Sequence, residues 1–246
     1  TPSQADDVIH SFLCVGYSII QYYLDGEPIG ALEGHQGTQA EVEIIATFLP
    51  RIVIDSLDTA LELAGLEMRS LTLEPIAAMH VVVPPTMRML NIALVDVGAG
   101  TSDLAISAMG TVKGYGMVSY AGDAITAGLA DHFLLDFKVA EQLKVALAPN
   151  QISECHDVFG NPLTLSYEEV LVAMQPQIKT LAEKVAQEII KLNGSAPKGV
   201  ILIGGGSRVP GLCELLADNL GLPQSLVRMR DRNTLQQVKG LPHFSG

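Results

Sequence analysis

The segment Asp96-Val97-Gly98-Ala99-Gly100-Thr101-Ser102-Asp103 joins a carboxylate, two positions without side chains and a hydroxyl within a few residues. Gly98 and Gly100, on either side of Ala99, let backbone N–H groups come close together and point at one anion, the arrangement that holds phosphate oxygens. Thr101 can add a hydroxyl donor to a terminal phosphate. Asp96 is placed to bind Mg²⁺ through water, because Mg²⁺ takes oxygen ligands and keeps several waters beside substrate phosphates. A tight β-hairpin turn can also be glycine-rich without binding anything, so the segment needs support from elsewhere in the chain.

A second glycine turn, Gly204-Gly205-Gly206-Ser207-Arg208, offers that support. Three glycines allow a flat ligand to lie against backbone, and the Arg208 guanidinium can stack on a purine. A plain strand-to-helix connection would read the same way. Neither turn is a dinucleotide fingerprint, since the third glycine of G-x-G-x-x-G is replaced by Asp103 in one and Val209 in the other. The phosphate loop ending in Gly-Lys-Ser/Thr is absent from the chain.

The elements that must position these turns follow from hydrophobic periodicity. Asn91 to Val97 is a nearly continuous apolar run, as expected of a strand buried on both faces, and it empties into the first turn. Strands over 104–108 and 111–118 follow as a meander, then helices over about 124–135 and 138–147. Gly160-Asn161 marks a hairpin. Ser166 and Glu169 form a capping box that starts a helix reaching about Leu192, with a kink or early break expected at Pro176. Gly199 to Ile203 reads as another buried strand, and a helix over 211–220 closes at Gly221. Ahead of all this, strands over 11–24 and 40–48, a helix over 51–64 opened by Pro50, and a strand over 68–73 make a small α+β unit. Pro84-Pro85 marks the boundary, giving 1–80 and 81–246 as the expected domains.

Composition narrows the function class. The 246 residues are 48% hydrophobic and 17% charged, with a net charge of −12, which argues against a general nucleic-acid binder because phosphate backbones need clustered Lys and Arg. Arg228, Arg230 and Arg232 are the local exception and read as a solvated face. No run approaches the roughly 20 apolar residues of a membrane-spanning helix. Cys14, Cys155 and Cys213 make neither a zinc spacing nor a disulfide framework, and the Cys155-His156 pair reads as part of a polar loop. A cytoplasmic protein is expected, placed at the inner face of the membrane only through segments outside this chain.

Taken in order, these motifs resemble the actin-like ATPase superfamily, the group of actin, sugar kinases, heat-shock chaperone ATPases, MreB and FtsA. Glu74-Pro75-Ile76-Ala77-Ala78 is similar to the first connecting helix, 96–103 to the second phosphate motif, and 204–208 with Val209-Pro210-Gly211 to the adenosine motif. Tyr120-Ala121-Gly122-Asp123 and Ala140-Glu141-Gln142-Leu143-Lys144 resemble segments that line the nucleotide. Within the superfamily, Tyr22 to Gly30, Ala64-Gly65-Leu66, and Ser119 to Asp123 with Thr126 resemble FtsA, with the pilus protein PilM second.

The resemblance implies a ribonuclease H-like α/β lobe with a mixed sheet flanked by helices, plus a small 1C-like α+β subdomain. It implies ATP and Mg²⁺ as ligands, with Gly122 lining the nucleotide, Glu141 on the ribose hydroxyls and Lys144 flanking the adenosine. Read as a lone pair, Glu141 and Lys144 are an exposed i,i+3 salt bridge worth only about 0.2–0.5 kcal/mol. Glu74 would orient the attacking water, with Asp96 as its catalytic partner on the metal. Self-association into filaments or dimers, and division or envelope-assembly partners, are also implied; a PilM-like scaffold or a chaperone-like ATPase is the alternative. The superfamily's first phosphate motif, an Asp-x-Gly-Thr turn, does not precede Glu74. The chain therefore reads as a fragment lacking that subdomain, with ATP hydrolysis expected of the intact protein and not of this piece.

Overall fold

The computed structural model describes residues 11–230. Its first unit is an antiparallel three-stranded sheet in the order β2-β1-β3, from β1 (Phe12–Leu24), β2 (Glu27–Ile29) and β3 (Ala40–Pro50). Asp25 and Gly26 join β1 to β2 with φ of 52° and 84°. Two successive positive φ angles define the hairpin turn whose twist matches its strands, and Asp-Gly is a preferred sequence for it. Pro50 caps α1 (Arg51–Leu63), and Gly65 follows it at φ 72°. None of the described side chains before Met79 is fully buried, so this unit has no core of its own. Residues 68–73 form no strand, contrary to the expectation from their apolar pattern. No described strand lies alongside them, and alternation without a partner does not make a ladder.

The second unit carries the core. Helices α2 (Glu74–Val82) and α3 (Pro85–Arg88) lead into a five-stranded sheet ordered β10-β9-β4-β5-β6. Its strands are β4 (Ile92–Val97), β5 (Ser102–Ala108), β6 (Thr111–Val118), β9 (Gly199–Ile203) and β10 (Val227–Met229). The first three form an antiparallel meander, while β9 and β10 run parallel to β4. Both faces are covered. Met79, Val82 and Val83 pack with Leu94, Ala105 and Ile201 on one side; on the other lie α4 (Gly122–Phe133), α6 (Tyr167–Asn193) and α7 (Leu212–Leu220). Helix α5 (Phe137–Ala146) packs on α4, and the hairpin β7 (Ile152–His156) and β8 (Pro162–Ser166) precedes α6.

Two local expectations are corrected here. Helix α6 passes through Pro176 as one element of 27 residues. A proline removes the bond to the carbonyl four residues earlier; Val172 lies on the solvent face, 69% exposed, where losing that bond costs least. The opposite face packs onto the core through Met174, Ile178 and Leu181, so the helix is not broken at the proline. The expected capping box is present, with the Ser166 hydroxyl accepting from Glu169 N–H and the Glu169 carboxylate accepting from Ser166 N–H at 2.8 Å. The second correction concerns Cys155 and His156, which lie in strand β7 and not in a loop. Partial burial pushes the Cys155 thiol up from its ordinary pKa. Among the described residues no helix is long and apolar enough to cross a membrane.

Candidate functional site

Because β4 and β9 are parallel neighbours with Asp96 level with Ile203, their carboxyl ends deliver both glycine turns to the same edge of the sheet. In open α/β sheets this is the edge at which ligands bind. In the first turn, Gly98 N–H donates to the Thr101 carbonyl at 2.9 Å, closing a tight loop. The loop is then fastened to α4: Gly122 N–H donates to the Gly98 carbonyl at 3.1 Å, and Asp123 N–H to the Ala99 carbonyl at 2.7 Å. In a trans peptide the carbonyl and the following N–H point in opposite directions. Turning the Gly98 and Ala99 carbonyls toward α4 therefore turns the N–H groups of Ala99 and Gly100 away from it. Among the described residues, the N–H groups of Ala99, Gly100 and Thr101 donate to no protein acceptor. Consecutive unpaired donors of this kind form a nest for an anion.

The second turn is packed against the first. Gly204 has φ 86°, and a Cβ added there would lie 2.3 Å from Asp96 Oδ1 and 2.4 Å from the Val97 carbonyl oxygen. A Cβ at Gly206 would lie 2.6 Å from Val97 Cγ1. At Gly100 and Gly205 it would meet no protein atom within 4 Å. Two glycines thus permit the turns to touch, and two others leave space open in front of them. The space in front of Gly205 is a cleft of about 490 Å³, within the range of small-molecule sites. Of the residues assigned to a ligand from the sequence, Gly98, Ala99, Gly122, Glu141, Lys144, Gly205, Gly206 and Arg208 line it, together with Asp123, Met174, Val209 and Pro210. Gly100 and Thr101 stand beside the cleft and not in its lining, and the Thr101 hydroxyl donates to Asp103 Oδ2 at 3.1 Å.

Glu141 and Lys144 are not the exposed surface pair that their i,i+3 spacing suggests. The Lys144 side chain is 10% exposed, and its ammonium donates to Glu141 Oε2 at 2.6 Å, Thr126 Oγ1 at 2.7 Å and the Gly122 carbonyl at 3.0 Å. Thr126 also donates to Glu141 Oε2. Burial pushes the Glu141 carboxyl up, but the hydrogen bonds from Lys144 and Thr126 and the Lys144 charge outweigh it and hold the group below its ordinary value. All three ammonium protons are committed, so Lys144 ties α5 to the start of α4 and through Gly122 to the Gly98 carbonyl. Lys144→Met is expected to lower stability by about 1.5–3 kcal/mol, the range for hydrogen bonds to a charged group. Urea unfolding checks this, and an unchanged midpoint would rule out the bracing role.

Asp96 faces Asp103 directly across the β4–β5 ladder. Like charges in directly opposed positions are destabilising. Burial, then the charges of Glu74 and Asp103, pushes the Asp96 carboxyl above its ordinary value. Glu74, at the first position of α2, is exposed. Among the described residues no three His, Cys, Asp or Glu side chains stand close enough to hold a metal directly. The Asp96 carboxylate, repelled by Asp103 and Glu74 and standing beside an unpaired N–H nest, instead fits a water-shelled divalent cation that also has phosphate oxygens as ligands. The sequence reading missed Asp103, whose pairing with Asp96 follows once 96–103 is folded into a hairpin. It also left Thr126 out of the site, although Thr126 lies one helical turn beyond Gly122. The arginine trio divides: Arg230 donates to the Val82 carbonyl and to Met87 Sδ, tying β10 to the end of α2; Arg228 is exposed; Arg232 lies outside the described residues.

The order of the sheet, the meander followed by two parallel strands and the paired turns at their carboxyl ends define an actin-like ATPase fold. Solved structures agree. The chain superposes on the PilM–PilN type IV pilus biogenesis complex with a TM-score of 0.65 at 19% identity, covering 96% of this chain and 63% of that one. On MreB5 of Spiroplasma citri bound to ADP the TM-score is 0.60 at 17% identity, covering 74% and 61%. At these identities the likeness is one of fold. The family model for cell division protein FtsA matches residues 93–242, and the chain belongs to that family. It is 24% identical over 234 residues to cell division protein FtsA of Pseudomonas aeruginosa, covering 87% of this chain and 56% of that protein. To the FtsA of Bacillus subtilis it is 24% identical over 242 residues, covering 94% and 54%. The chain thus spans about half the length of the curated relatives it matches.

Proposed function

We propose that this chain is the nucleotide-holding part of an ATP-binding actin-like protein of bacterial cell division, which assembles into polymers and recruits other division proteins. The observation that carries the reading is the run of three unpaired N–H groups at Ala99, Gly100 and Thr101 beside the opposed carboxylates of Asp96 and Asp103. Phosphate and a divalent cation together satisfy both: the nest takes the anion, and the cation relieves the repulsion between carboxylates. Asp96 holds the cation through water, Glu141 turns a carboxylate to the ribose, and Gly205, Gly206 and Arg208 receive the base. Bound Mg²⁺ neutralises charge on the phosphates, and Glu74 is assigned to orienting a water beside them. The protein works in the cytoplasm, reaching the membrane through segments other than these. The chain's FtsA relatives support the division role over a PilM-like scaffold, whose likeness is of the fold alone.

The test is calorimetric titration of the intact protein with ATP, with and without Mg²⁺, followed by sedimentation of assemblies. Magnesium-dependent binding and nucleotide-dependent sedimentation are expected. Absence of binding with excess Mg²⁺ would remove the nucleotide assignment.

A further inference from the structure

Thr126 is fully buried, at 0% exposure, and carries a hydroxyl that takes no part in holding phosphate or cation. Its oxygen lies 3.2 Å from the Gly122 carbonyl four residues earlier, an ordinary place for a threonine hydroxyl in a helix. It is also within hydrogen-bond distance of Glu141 Oε2 on the neighbouring helix α5. One hydroxyl has one proton for these two acceptors. The carboxylate takes it, since hydrogen bonds to an ionised acceptor are roughly twice as strong as neutral ones. The Gly122 carbonyl is not stranded by that choice, because Lys144 Nζ donates to it at 3.0 Å. Lys144 also donates to the Thr126 oxygen at 2.7 Å, so every polar group of the cluster is served only when Thr126 donates to Glu141.

Both bonds to Glu141 end on the same oxygen. Lys144 and Thr126 converge on Oε2, and among the described residues Oε1 has no partner. Two donors from different directions fix the rotation of a planar carboxylate, whereas Lys144 alone, on a flexible four-carbon stem, does not. Thr126 is the stiff member, because a β-branched side chain in a helix has few χ1 choices. The Glu141 side chain is 40% exposed and lines the cleft, so Oε1 is the oxygen left for a ligand. An ionised carboxylate only accepts, and the group it selects must donate. Lys144 holds Glu141 near Gly122, whose N–H is bonded to the Gly98 carbonyl of the phosphate turn. The part of a nucleotide adjoining its phosphates is the sugar, whose hydroxyls are donors.

We propose that Thr126 is a positioning residue for sugar recognition: it locks Glu141 through Oε2 so that Oε1 accepts from the ribose hydroxyls, and the preference of the cleft for a hydroxylated sugar depends on that lock. This rests on the assignment of the cleft to a nucleotide. Thr126 does not line the cleft and acts only through Glu141. The two residues therefore form one unit, and their effects on sugar recognition are not additive.

Calorimetric titration of the intact protein compares Mg-ATP with the Mg complex of dideoxy-ATP, which lacks both sugar hydroxyls. Wild type is expected to bind the dideoxy analogue at least about tenfold more weakly, the lower end for a hydrogen bond to a charged group. Thr126→Val keeps the shape of the side chain and removes its hydroxyl. It should weaken ATP to the level of the analogue and leave the analogue itself unchanged, whereas a general loosening of the site would weaken both. Thr126→Ser should restore the preference. In a Glu141→Ala protein, which has already lost the preference, adding Thr126→Val should change neither affinity. Thr126→Ala, expected to behave as Thr126→Val does, is measured beside it so that the result does not depend on one variant folding. Equal preference in wild type and the hydroxyl-less variants, equal weakening of both ligands, or a further effect of Thr126→Val without Glu141 would overturn the proposal and leave the nucleotide assignment standing. So would a wild type that binds the two ligands alike. A wild type that binds neither would remove both.

Discussion

Asp96→Asn is expected to make the nucleotide-free protein harder to unfold at neutral pH and at the same time to remove its magnesium-dependent nucleotide binding. Both effects have one source. Burial, Glu74 and Asp103 raise the folded-state pKa of Asp96 above the ordinary 3.8, so folding favours the protonated form. The contribution of this carboxyl to stability is therefore fully present below 3.8 and is lost as pH rises through the raised folded value. At neutral pH the ionised group is a burden, which the amide does not carry. The Tm advantage of Asp96→Asn should be largest at pH 7 and should fade as pH drops through the carboxylate range, where wild-type Asp96 becomes neutral too.

With Mg²⁺ and nucleotide the order reverses. A ligand at 100 times its Kd stabilises the folded state by about 2.7 kcal/mol, and wild type should gain this while Asp96→Asn gains little. Loss of a group that orients metal-bound water lowers metal affinity by about 10–100-fold. Thermal melts at several pH values, with and without Mg-ATP, check both halves. Equal melting of the two nucleotide-free proteins at pH 7 would remove the repulsion argument, and equal ligand stabilisation would remove the metal assignment.

Much of the architecture was legible because local signals agreed with the final packing. The apolar run into Asp96 reads as a strand buried on both faces, and β4 is one. Asp25-Gly26 and the Ser166–Glu169 capping box are turn and cap chemistry that act within four residues. The failures are those in which a distant partner decides. Residues 68–73 have a strand's composition and no neighbour to pair with. The i,i+3 spacing of Glu141 and Lys144 reports only their own helix, so it left an exposed ion pair open beside the nucleotide-lining role; the Gly122 carbonyl and Thr126, which bury Lys144, come from α4. Pro176 looked like a break because the cost to the backbone is local, whereas the apolar face that holds α6 together extends over its whole length.

Gly204→Ala is expected to lower stability by about 2–5 kcal/mol, whereas Gly205→Ala, one residue on, should leave stability unchanged and weaken nucleotide binding. The left-handed φ of 86° at Gly204 disfavours any side chain, by about 1–2 kcal/mol. In addition, the new methyl would lie against the Asp96 carboxylate and the Val97 carbonyl at 2.3 and 2.4 Å. The Val97 carbonyl cannot retreat, since β4 is held on one side by β5 and on the other by β9, and the Asp96 side chain would have to turn its carboxylate away. Overpacking of a rigid site adds about 1–3 kcal/mol. At Gly205 the backbone is not left-handed and the methyl enters open space, so stability should stay within about 0.5 kcal/mol. That space is the cleft itself, and a methyl group there intrudes where the base is assigned to lie. Denaturant midpoints and nucleotide titrations on the two variants separate the roles. If Gly204→Ala is as stable as wild type, the two turns do not depend on that contact; if Gly205→Ala binds nucleotide normally, the base does not lie against this turn.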